Sequence, residues 1–183
     1  GTFDCFHAGH EALLEAALDC DSVEVWVTSD AIAAEKDPRI KPLVERQKDI
    51  TKWANGRSLS THVLEDSWGP APSRADATHI VCTPETQGNC EKINQMRTRD
   101  GLKSLELVVV NHVLAQDGEP ISSSRIRQGC INRHGNPWIS ASDLQQPVYM
   151  PTVLDSELKE PMGTLFPGPE DTPEVAIRAA VES

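Results

Sequence analysis

Two different spacings of hydrophobic residues alternate along this chain. Stretches in which β-branched and apolar residues alternate or run together predict strands, at residues 22–28, 58–64, 78–82 and 105–110. Stretches in which apolar residues recur every three or four positions predict helices, at residues 11–18, 43–54 and 88–99. Because strands and helices take turns, the sequence predicts an α/β fold with a parallel sheet and helices on both of its faces.

Polar segments with turn-forming residues separate these elements. Residues 31–41 predict a mobile connection between the first strand and the second helix. Residues 83–86, with the sequence Thr-Pro-Glu-Thr, predict a loop after the third strand. Asn55 and Gly56 form a typical helix end, because both residues accept left-handed backbone conformations.

The composition excludes several classes of protein. Acidic residues outnumber basic residues, 28 to 17, which gives a net charge of −11 and argues against a nonspecific nucleic-acid binder. No apolar run approaches the ~20 residues of a membrane-spanning helix. The five cysteines include no Cys-x-x-Cys pair, as is typical of thiols in a reducing compartment. We therefore expect a cytoplasmic protein without a nucleic-acid or membrane partner.

The first ten residues read Gly-Thr-Phe-Asp-Cys-Phe-His-Ala-Gly-His. Gly1 and Gly9 allow a backbone to approach a ligand closely, and the helix that follows offers free N–H groups to a phosphate. His7 and His10 add imidazole donors beside those amides. The alternatives are two ordinary turn histidines or a metal site, although no Cys, Asp or Glu cluster completes a metal ligand set. We interpret the segment as a polyphosphate-binding loop.

A second motif supports that interpretation, the Ile-Ser-Ser-Ser-Arg-Ile-Arg sequence at residues 121–127. Together with His-x-Gly-His, it resembles the signatures of the nucleotidylyltransferase superfamily, which includes cytidylyltransferases and phosphopantetheine adenylyltransferases. The resemblance implies the Rossmann-like nucleotidylyltransferase fold. Phosphate loops of this type follow a buried parallel strand, so we expect that the first strand of the fold is missing before Gly1.

Weaker stretches resemble one branch of that superfamily, the archaeal-type phosphopantetheine adenylyltransferases. The stretches that are similar in order and spacing are residues 41–46, 84–86, 93–97, 101–102 and 117–118. The resemblance covers nearly all of residues 1–135. It implies adenylyl transfer from ATP to 4′-phosphopantetheine, which gives dephospho-CoA and pyrophosphate in coenzyme A biosynthesis. Magnesium is expected as the Mg²⁺ complex of ATP.

The resemblance also implies roles for individual residues. Those expected to bind ATP are Gly1, Thr2, Phe3, His7, Gly9, His10, Ser122, Ser123, Ser124, Arg125 and Arg127. Those expected to bind the acceptor substrate are Lys41, Glu85, Thr86 and Arg97. The residues expected to take part in catalysis are His10, His7 and Lys41, with His10 nearest the α-phosphate. No side chain is expected to bind a metal ion directly.

Some of these roles leave alternatives open. Ser123 and Ser124 are expected to cap a helix that starts near residue 124. One of Arg125 and Arg127 is expected to hold the leaving pyrophosphate in a guanidinium fork. The other is expected to be structural, because residues two apart on a helix face different directions; the family pattern favours Arg127 as the phosphate ligand. Lys41 also fits a solvated loop lysine, and Arg97 also fits a salt bridge on a helix surface.

The end of the chain departs from the pattern. Residues 1–146 are expected to form the nucleotidylyltransferase domain. Residues 147–183 contain Glu-Leu-Lys-Glu-Pro-Met-Gly, which resembles the opening of archaeal GTP-dependent dephospho-CoA kinases. This interpretation predicts the truncated start of a fused kinase-like domain without kinase activity. The alternative is a proline-rich acidic tail.

Two alternatives to the implied function also stay open. The shared motifs bind a triphosphate without reading the base or the acceptor. The chain therefore also fits a cytidylyl- or adenylyltransferase that acts on another phosphorylated acceptor. A catalytically silent nucleotide-binding module is the second alternative.

Overall fold

A computed structural model describes residues 1–20 and 22–138. The chain divides into two compact units, one at Gly1–Val113 and one that begins at Leu114. The elements, in chain order, are α1 (Ala8–Ala17), β1 (Val23–Thr28), α2 (Asp30–Lys36), α3 (Leu43–Ala54), β2 (Leu59–Leu64), β3 (His79–Cys82), α4 (Pro84–Arg99), β4 (Glu106–Val109) and α5 (Ser123–Arg127). This alternation confirms the predicted α/β fold class.

The strands pair in parallel, as predicted. β1 pairs with β2 from Val23 opposite Leu59 to Thr28 opposite Leu64. β3 pairs with β4 over residues 79–82 and 106–109. Each pair needs a crossover connection, which α2 and α3 supply for the first pair and α4 supplies for the second. In the described part of the chain the strands form two two-stranded sheets rather than one continuous sheet.

The main core of the first unit lies against one face of β1. Val23, Val25 and Val27 alternate with more exposed residues, and all three are buried. The other buried members of this cluster are Phe3, Leu14, Ala17 and Ile50, which come from the N-terminal segment, α1 and α3. The period-two pattern that predicted β1 is therefore the pattern of side chains that face this core.

Residues 31–41, which we expected to be a mobile connection, contain a helix instead. The Ser29 side chain caps α2 by accepting a hydrogen bond from the Ile32 amide at 3.4 Å. Asp30 Oδ1 accepts a hydrogen bond from the Leu43 amide at 2.6 Å, so α2 also caps the start of α3. The prediction was wrong because Ser29 and Asp30, residues typical of a helix start, were not used to predict one.

Helix α4 begins four residues earlier than the expected Gly88. Pro84 occupies the first turn, where its missing N–H costs nothing. The Thr83 amide donates to Thr86 Oγ1 at 3.0 Å, which completes a cap at the helix start. The predicted loop at residues 83–86 is therefore mostly the first turn of a helix.

The described part of the second unit is built around three isoleucines, Ile121, Ile126 and Ile131, all of them buried. Gly135 has a φ of +82°, and a Cβ on it would lie 2.8 Å from the Ala115 Cα. A side chain at position 135 would therefore disrupt the packing around the start of α5. The predicted domain boundary at residues 146 and 147 lies outside the described residues.

The buried side chain of Arg97 stabilises the loop at residues 71–77 in the first unit. The residue is only 1% exposed. Its guanidinium donates to the carbonyls of Ala71 and Arg74 at 2.7 Å, Lys103 at 2.8 Å and Ala77 at 3.4 Å. Backbone carbonyls buried in irregular loops need such donors, because no strand partner satisfies them. Arg97 thus fixes residues 71–77 against α4.

Replacing Arg97 with methionine should strongly destabilise the first unit. The change leaves four backbone carbonyls without their donor, and an acceptor left unsatisfied in the protein interior costs about 1–3 kcal/mol. Arg99→Met is the matched control, because the Arg99 side chain on the same helix is 75% exposed. Urea unfolding measures both variants. Equal midpoints for Arg97→Met and the wild type would contradict this structural role.

Candidate active site

Residues 1–7 form an N-terminal loop with an unusual backbone. Phe3 has a φ of +55° and Cys5 has a φ of +44°. Both values lie in the left-handed region, which residues other than glycine rarely adopt. Each such residue costs on the order of 1–3 kcal/mol, so the surrounding contacts must fix it. Both side chains are buried, and backbone strain of this kind clusters at active sites.

His7 determines where the following helix begins. Its Nδ1 accepts a hydrogen bond from the Gly9 amide at 3.1 Å, and its carbonyl accepts from the amides of His10 and Glu11 at 2.8 and 3.1 Å. Helix α1 therefore starts at Ala8, three residues before the predicted Glu11. The amide of Gly9, a residue expected to let the backbone approach a ligand, is used in this cap.

The two motif histidines stack on each other. The ring centroids of His7 and His10 are 3.8 Å apart, with 24° between the ring planes. The His10 ring also lies 5.0 Å from Phe3 and 5.7 Å from Phe6. His10 Nδ1 is buried and has no hydrogen-bond partner among the described residues. A buried polar atom of this kind in a native site is a candidate for ligand contact.

Burial keeps both imidazoles neutral at neutral pH. It lowers the pKa of His7 to about 4, although the nearby Asp4 carboxylate acts in the opposite direction. Burial, followed by the neighbouring His7, lowers the pKa of His10 well below its ordinary value. Because His7 Nδ1 accepts the Gly9 hydrogen bond, its proton lies on Nε2. The pair can donate hydrogen bonds to an anion without carrying a charge.

The N-terminal residues divide between packing and backbone contacts. A Cβ on Gly1 would lie 2.8 Å from Phe3 Cε2, so the Phe3 ring occupies the space that glycine leaves open. Phe3 itself belongs to the main core. Gly1 and Phe3 therefore have packing roles, and the expectation that they bind ATP stays a prediction. The Thr2 carbonyl accepts a hydrogen bond from Arg46 at 2.9 Å.

Lys41 is tied to the N-terminal loop by its backbone. Its amide donates to Asp4 Oδ1 at 3.1 Å, and Asp4 is buried. Its ammonium lies 3.5 Å from Asp49 Oδ2, a partly exposed pair that contributes little to stability. The structure therefore brings the residue 41 backbone to the loop that carries His7 and precedes His10 of α1.

Arg46 was missed by the sequence analysis. It is completely buried, and it bonds the backbones of Thr2 and Lys41 at 2.9 and 2.8 Å. A signal was present in the sequence, because Arg46, Ile50 and Ala54 are four residues apart and form the buried face of α3. An arginine on the apolar face of a helix needs buried acceptors.

The second motif forms a short helix in the second unit. Ser122, and not the predicted Ser123 or Ser124, caps α5 by accepting a hydrogen bond from the Arg125 amide at 3.4 Å. Ser124 Oγ accepts a hydrogen bond from Arg127 at 3.3 Å.

The two arginines of this motif have different partners. Arg125 donates to the Pro120 carbonyl at 3.0 Å and forms an ion pair with Asp117. These contacts hold the Arg125 guanidinium against its own unit, and which of the two arginines binds phosphate stays a prediction.

The residues expected to bind the acceptor substrate lie in different surroundings. Glu85 is exposed in the first turn of α4. Thr86 Oγ1 accepts the Thr83 amide hydrogen bond as part of the helix cap. Arg97 is buried and bonded to backbone carbonyls. This corrects the expectations of a substrate contact or a surface salt bridge for Arg97.

A family model now adds to this geometry. The model described as cytidylyltransferase-like matches residues 1–129, a span that contains both motifs. The chain belongs to the cytidylyltransferase-like family.

Curated relatives of this cytidylyltransferase-like chain come from archaea. It is 37% identical over 139 residues to the phosphopantetheine adenylyltransferase of Methanothermobacter thermautotrophicus, covering 74% of this chain and 85% of that protein. It is 36% identical over 133 residues to the phosphopantetheine adenylyltransferase of Methanopyrus kandleri, covering 69% of this chain and 85% of that protein. The predicted resemblance to archaeal enzymes of this name is confirmed.

Two further similarities show variation within the family. A bifunctional phosphopantetheine adenylyltransferase/NTP phosphatase of Thermoplasma volcanium is 36% identical over 141 residues, which are 74% of this chain and 42% of that protein. A crystal structure of an Archaeoglobus fulgidus protein of unknown function matches with a TM-score of 0.56 and 26% identity. That match covers 60% of this chain and 84% of the other. The predicted kinase-like segment at residues 147–183 lies beyond the family match and outside the described residues.

Within residues 1–20 and 22–138, no group of three or more His, Cys, Asp or Glu side chains could hold a metal ion. Over the same residues, no helix combines the length and apolarity that crossing a membrane requires.

Acidification should destabilise the first unit through His7. Its pKa is lowered from 6.5 to about 4, so the unfolded chain takes up a proton at a higher pH than the folded protein. Its contribution to stability is therefore present above pH 6.5 and is lost as the pH falls toward 4, with a slope of at most about 1.4 kcal/mol per pH unit. Denaturant unfolding between pH 7 and pH 4 measures this slope.

His7→Asn isolates the effect. An asparagine oxygen can accept the Gly9 hydrogen bond and cap the helix, but it does not titrate. We expect a flatter pH dependence for this variant. The exposed His112→Asn controls for the loss of any histidine. If both variants change the slope equally, His7 is not held neutral by burial.

Proposed function

We propose that this chain catalyses adenylyl transfer from ATP to 4′-phosphopantetheine, giving dephospho-CoA and pyrophosphate in coenzyme A biosynthesis. The observation that carries the proposal is the match to relatives named phosphopantetheine adenylyltransferase at 37% and 36% identity over 85% of their length. The intact loop with its stacked His7 and His10 supports a catalytic protein rather than a passive nucleotide-binding module.

The reaction needs placement more than acid–base chemistry. An oxygen of the acceptor phosphate forms a bond to the α-phosphorus of ATP, the bond from that phosphorus to the β-phosphate oxygen breaks, and pyrophosphate leaves with the electron pair. A phosphate oxygen is already nucleophilic at pH 7, so the protein must hold two anions together and stabilise the developing charge. Placement of this kind can supply about 7–11 kcal/mol.

The first unit provides donors for that charge. His10 is proposed to donate to the α-phosphate, and His7 to a neighbouring phosphate through Nε2–H. Neutral imidazole donors suit this task, since a preorganised donor is worth roughly 3–4 kcal/mol in a water-poor site. Lys41 is proposed to supply the mobile positive charge between the two substrates, because its backbone is fixed to the loop through Asp4. Thr2 is proposed to contact the phosphates by its hydroxyl or amide.

The second motif is proposed to bind the β- and γ-phosphates, with Ser123, Ser124 and Arg127 as the ligands. Arg125 is proposed to have a structural role, because it forms an ion pair with Asp117 and donates a hydrogen bond to the Pro120 carbonyl. A guanidinium can bind two phosphate oxygens at once, which suits Arg127 for the leaving pyrophosphate.

Magnesium is proposed to enter as the complex with ATP. The described residues offer no carboxylate cluster of their own for it, and Mg²⁺ usually binds nucleotide phosphates with only one or two protein carboxylates. When bound, it neutralises part of the phosphate charge. We also propose that the protein is cytoplasmic and that residues 147–183 begin a fused kinase-like domain.

Pyrophosphate release tests the proposed function. The purified protein is mixed with Mg²⁺, 4′-phosphopantetheine and either ATP or CTP. Release with ATP that depends on phosphopantetheine is expected. Tight ATP binding without release would contradict the proposal and favour another phosphorylated acceptor, and release with CTP would favour a cytidylyltransferase.

His10→Ala should reduce turnover much more than ATP affinity. A donor that acts mainly in the transition state contributes about 10²–10³-fold to kcat, whereas ground-state binding is shared among many contacts. Steady-state kinetics and calorimetric titration with Mg-ATP measure the two effects. His112→Ala serves as an exposed control, and thermal unfolding verifies that His10→Ala is folded. Equal losses of turnover and affinity would indicate a binding protein.

A further inference from the structure

The most completely buried charge in the described part of the first unit lies directly under the N-terminal loop. Arg46 is 0% exposed. Its Nε donates to the Lys41 carbonyl at 2.8 Å, and its Nη1 donates to the Thr2 carbonyl at 2.9 Å and to Thr28 Oγ1 at 3.3 Å. Its Nη2 binds Asp30 Oδ1 at 3.0 Å. One side chain therefore bonds four separate segments.

We propose that Arg46 is a positioning residue for adenylyl transfer, because it fixes the backbones of Thr2 and Lys41 relative to each other. This inference rests on the proposed function and adds a residue that touches neither substrate. Thr2 and Lys41 are the proposed phosphate contacts on two different segments, and Arg46 is the side chain that bonds both of them.

A second contact joins the same two segments from the other direction. Asp4 Oδ1, in the N-terminal loop, accepts the Lys41 amide hydrogen bond at 3.1 Å. Arg46 thus supplies a donor to the Lys41 carbonyl, while Asp4 supplies an acceptor to the Lys41 amide. With both backbone groups of residue 41 engaged, its Cα position and the direction of its side chain are defined.

The arrangement requires arginine rather than another cation. A guanidinium carries five N–H donors in a rigid plane, whereas a lysine ammonium presents three donors at one point. A single ammonium cannot reach acceptors on four segments at once. The two partners of the ion pair differ in burial, because the Arg46 side chain is buried and the Asp30 side chain is 63% exposed. The positive charge of Arg46 is therefore held largely by neutral carbonyl and hydroxyl oxygens.

The effect on catalysis follows from distance. Reacting groups must lie within a few tenths of an ångström of the productive geometry. A misplacement of about 1 Å can reduce the rate about 100-fold even when the change lies outside the chemistry. Loosening Thr2 and Lys41 should therefore reduce kcat while leaving the KM for ATP close to its original value.

Arg46→Lys tests the inference, with Ile50→Val as the matched control. Ile50 lies one turn further on the same buried face of α3, is also 0% exposed, and belongs to the apolar core. Both variants should lose stability. We expect kcat for phosphopantetheine-dependent pyrophosphate release to fall about 100-fold in Arg46→Lys only. If Arg46→Lys fails to fold, Arg46→Gln replaces it, because glutamine avoids a buried charge and still cannot reach all four partners.

A double-mutant cycle with Lys41→Ala separates positioning from a general structural effect. If Arg46 acts by placing Lys41, the cost of Arg46→Lys should be smaller in the Lys41→Ala background than in the wild type. Independent effects would multiply instead. An unchanged kcat in Arg46→Lys, or a loss no larger than that of Ile50→Val, overturns the inference.

Hydrogen exchange distinguishes a failure of this inference from a failure of the proposed function. Amides in residues 1–7 and 37–43 should exchange faster in Arg46→Lys than in Ile50→Val, because local opening is read directly. If the wild type does not use phosphopantetheine but this exchange pattern is observed, the function is wrong and the positioning by Arg46 stands. Unchanged exchange in both segments overturns the positioning itself.

Discussion

Buried backbone carbonyls in irregular loops are the constraint on which this structure depends. Helices and strands satisfy their own carbonyls, but the N-terminal loop and residues 71–77 cannot. Two arginines, Arg46 at 0% exposure and Arg97 at 1%, reach these loops from adjacent helices and donate to them. Each planar guanidinium group donates to several acceptors at once, which an apolar side chain of the same volume could not do.

This solution lets the N-terminal loop keep its polar groups for a ligand. Arg46 binds the Thr2 carbonyl from the buried side, so the loop does not need its histidines to satisfy its own backbone at that point. His7 caps α1 with one nitrogen, which leaves the Nε2 proton for another acceptor. In a chain with a net charge of −11, the proposed phosphate contacts at the N-terminal loop combine neutral donors with support from a buried cation, so they add no exposed positive charge at the loop.

The strands were predictable because their signal is carried by packing. Val23, Val25 and Val27 alternate in the sequence and face the same core in the structure. Helix starts were less predictable, because they depend on single hydrogen bonds. The His7 imidazole caps α1, which begins at Ala8 rather than at the predicted Glu11. The Thr83–Thr86 contact caps α4, which begins at Pro84 rather than at the predicted Gly88. Neither bond has a periodic signature.

The candidate site shows the same division between pattern and geometry. The motif identified His7 and His10, whose rings stack as a unit. It could not distinguish an arginine that meets a ligand from one that supports the fold, and Arg97 was assigned to the substrate although its guanidinium points into the protein. Arg46 lies in the similar stretch at residues 41–46 but outside the two signature motifs, so its role was not predicted.

Helix periodicity contains information that these motifs lack. Arg46 shares the apolar face of α3 with Ile50 and Ala54, and a charge in that position is stable only if buried acceptors surround it. In a fold whose loops carry the chemistry, such acceptors are most often loop carbonyls, since regular elements have none to spare. An arginine on the apolar face of a helix therefore indicates, from the sequence alone, a loop that this arginine supports, and here that loop carries His7 and leads into the helix that carries His10.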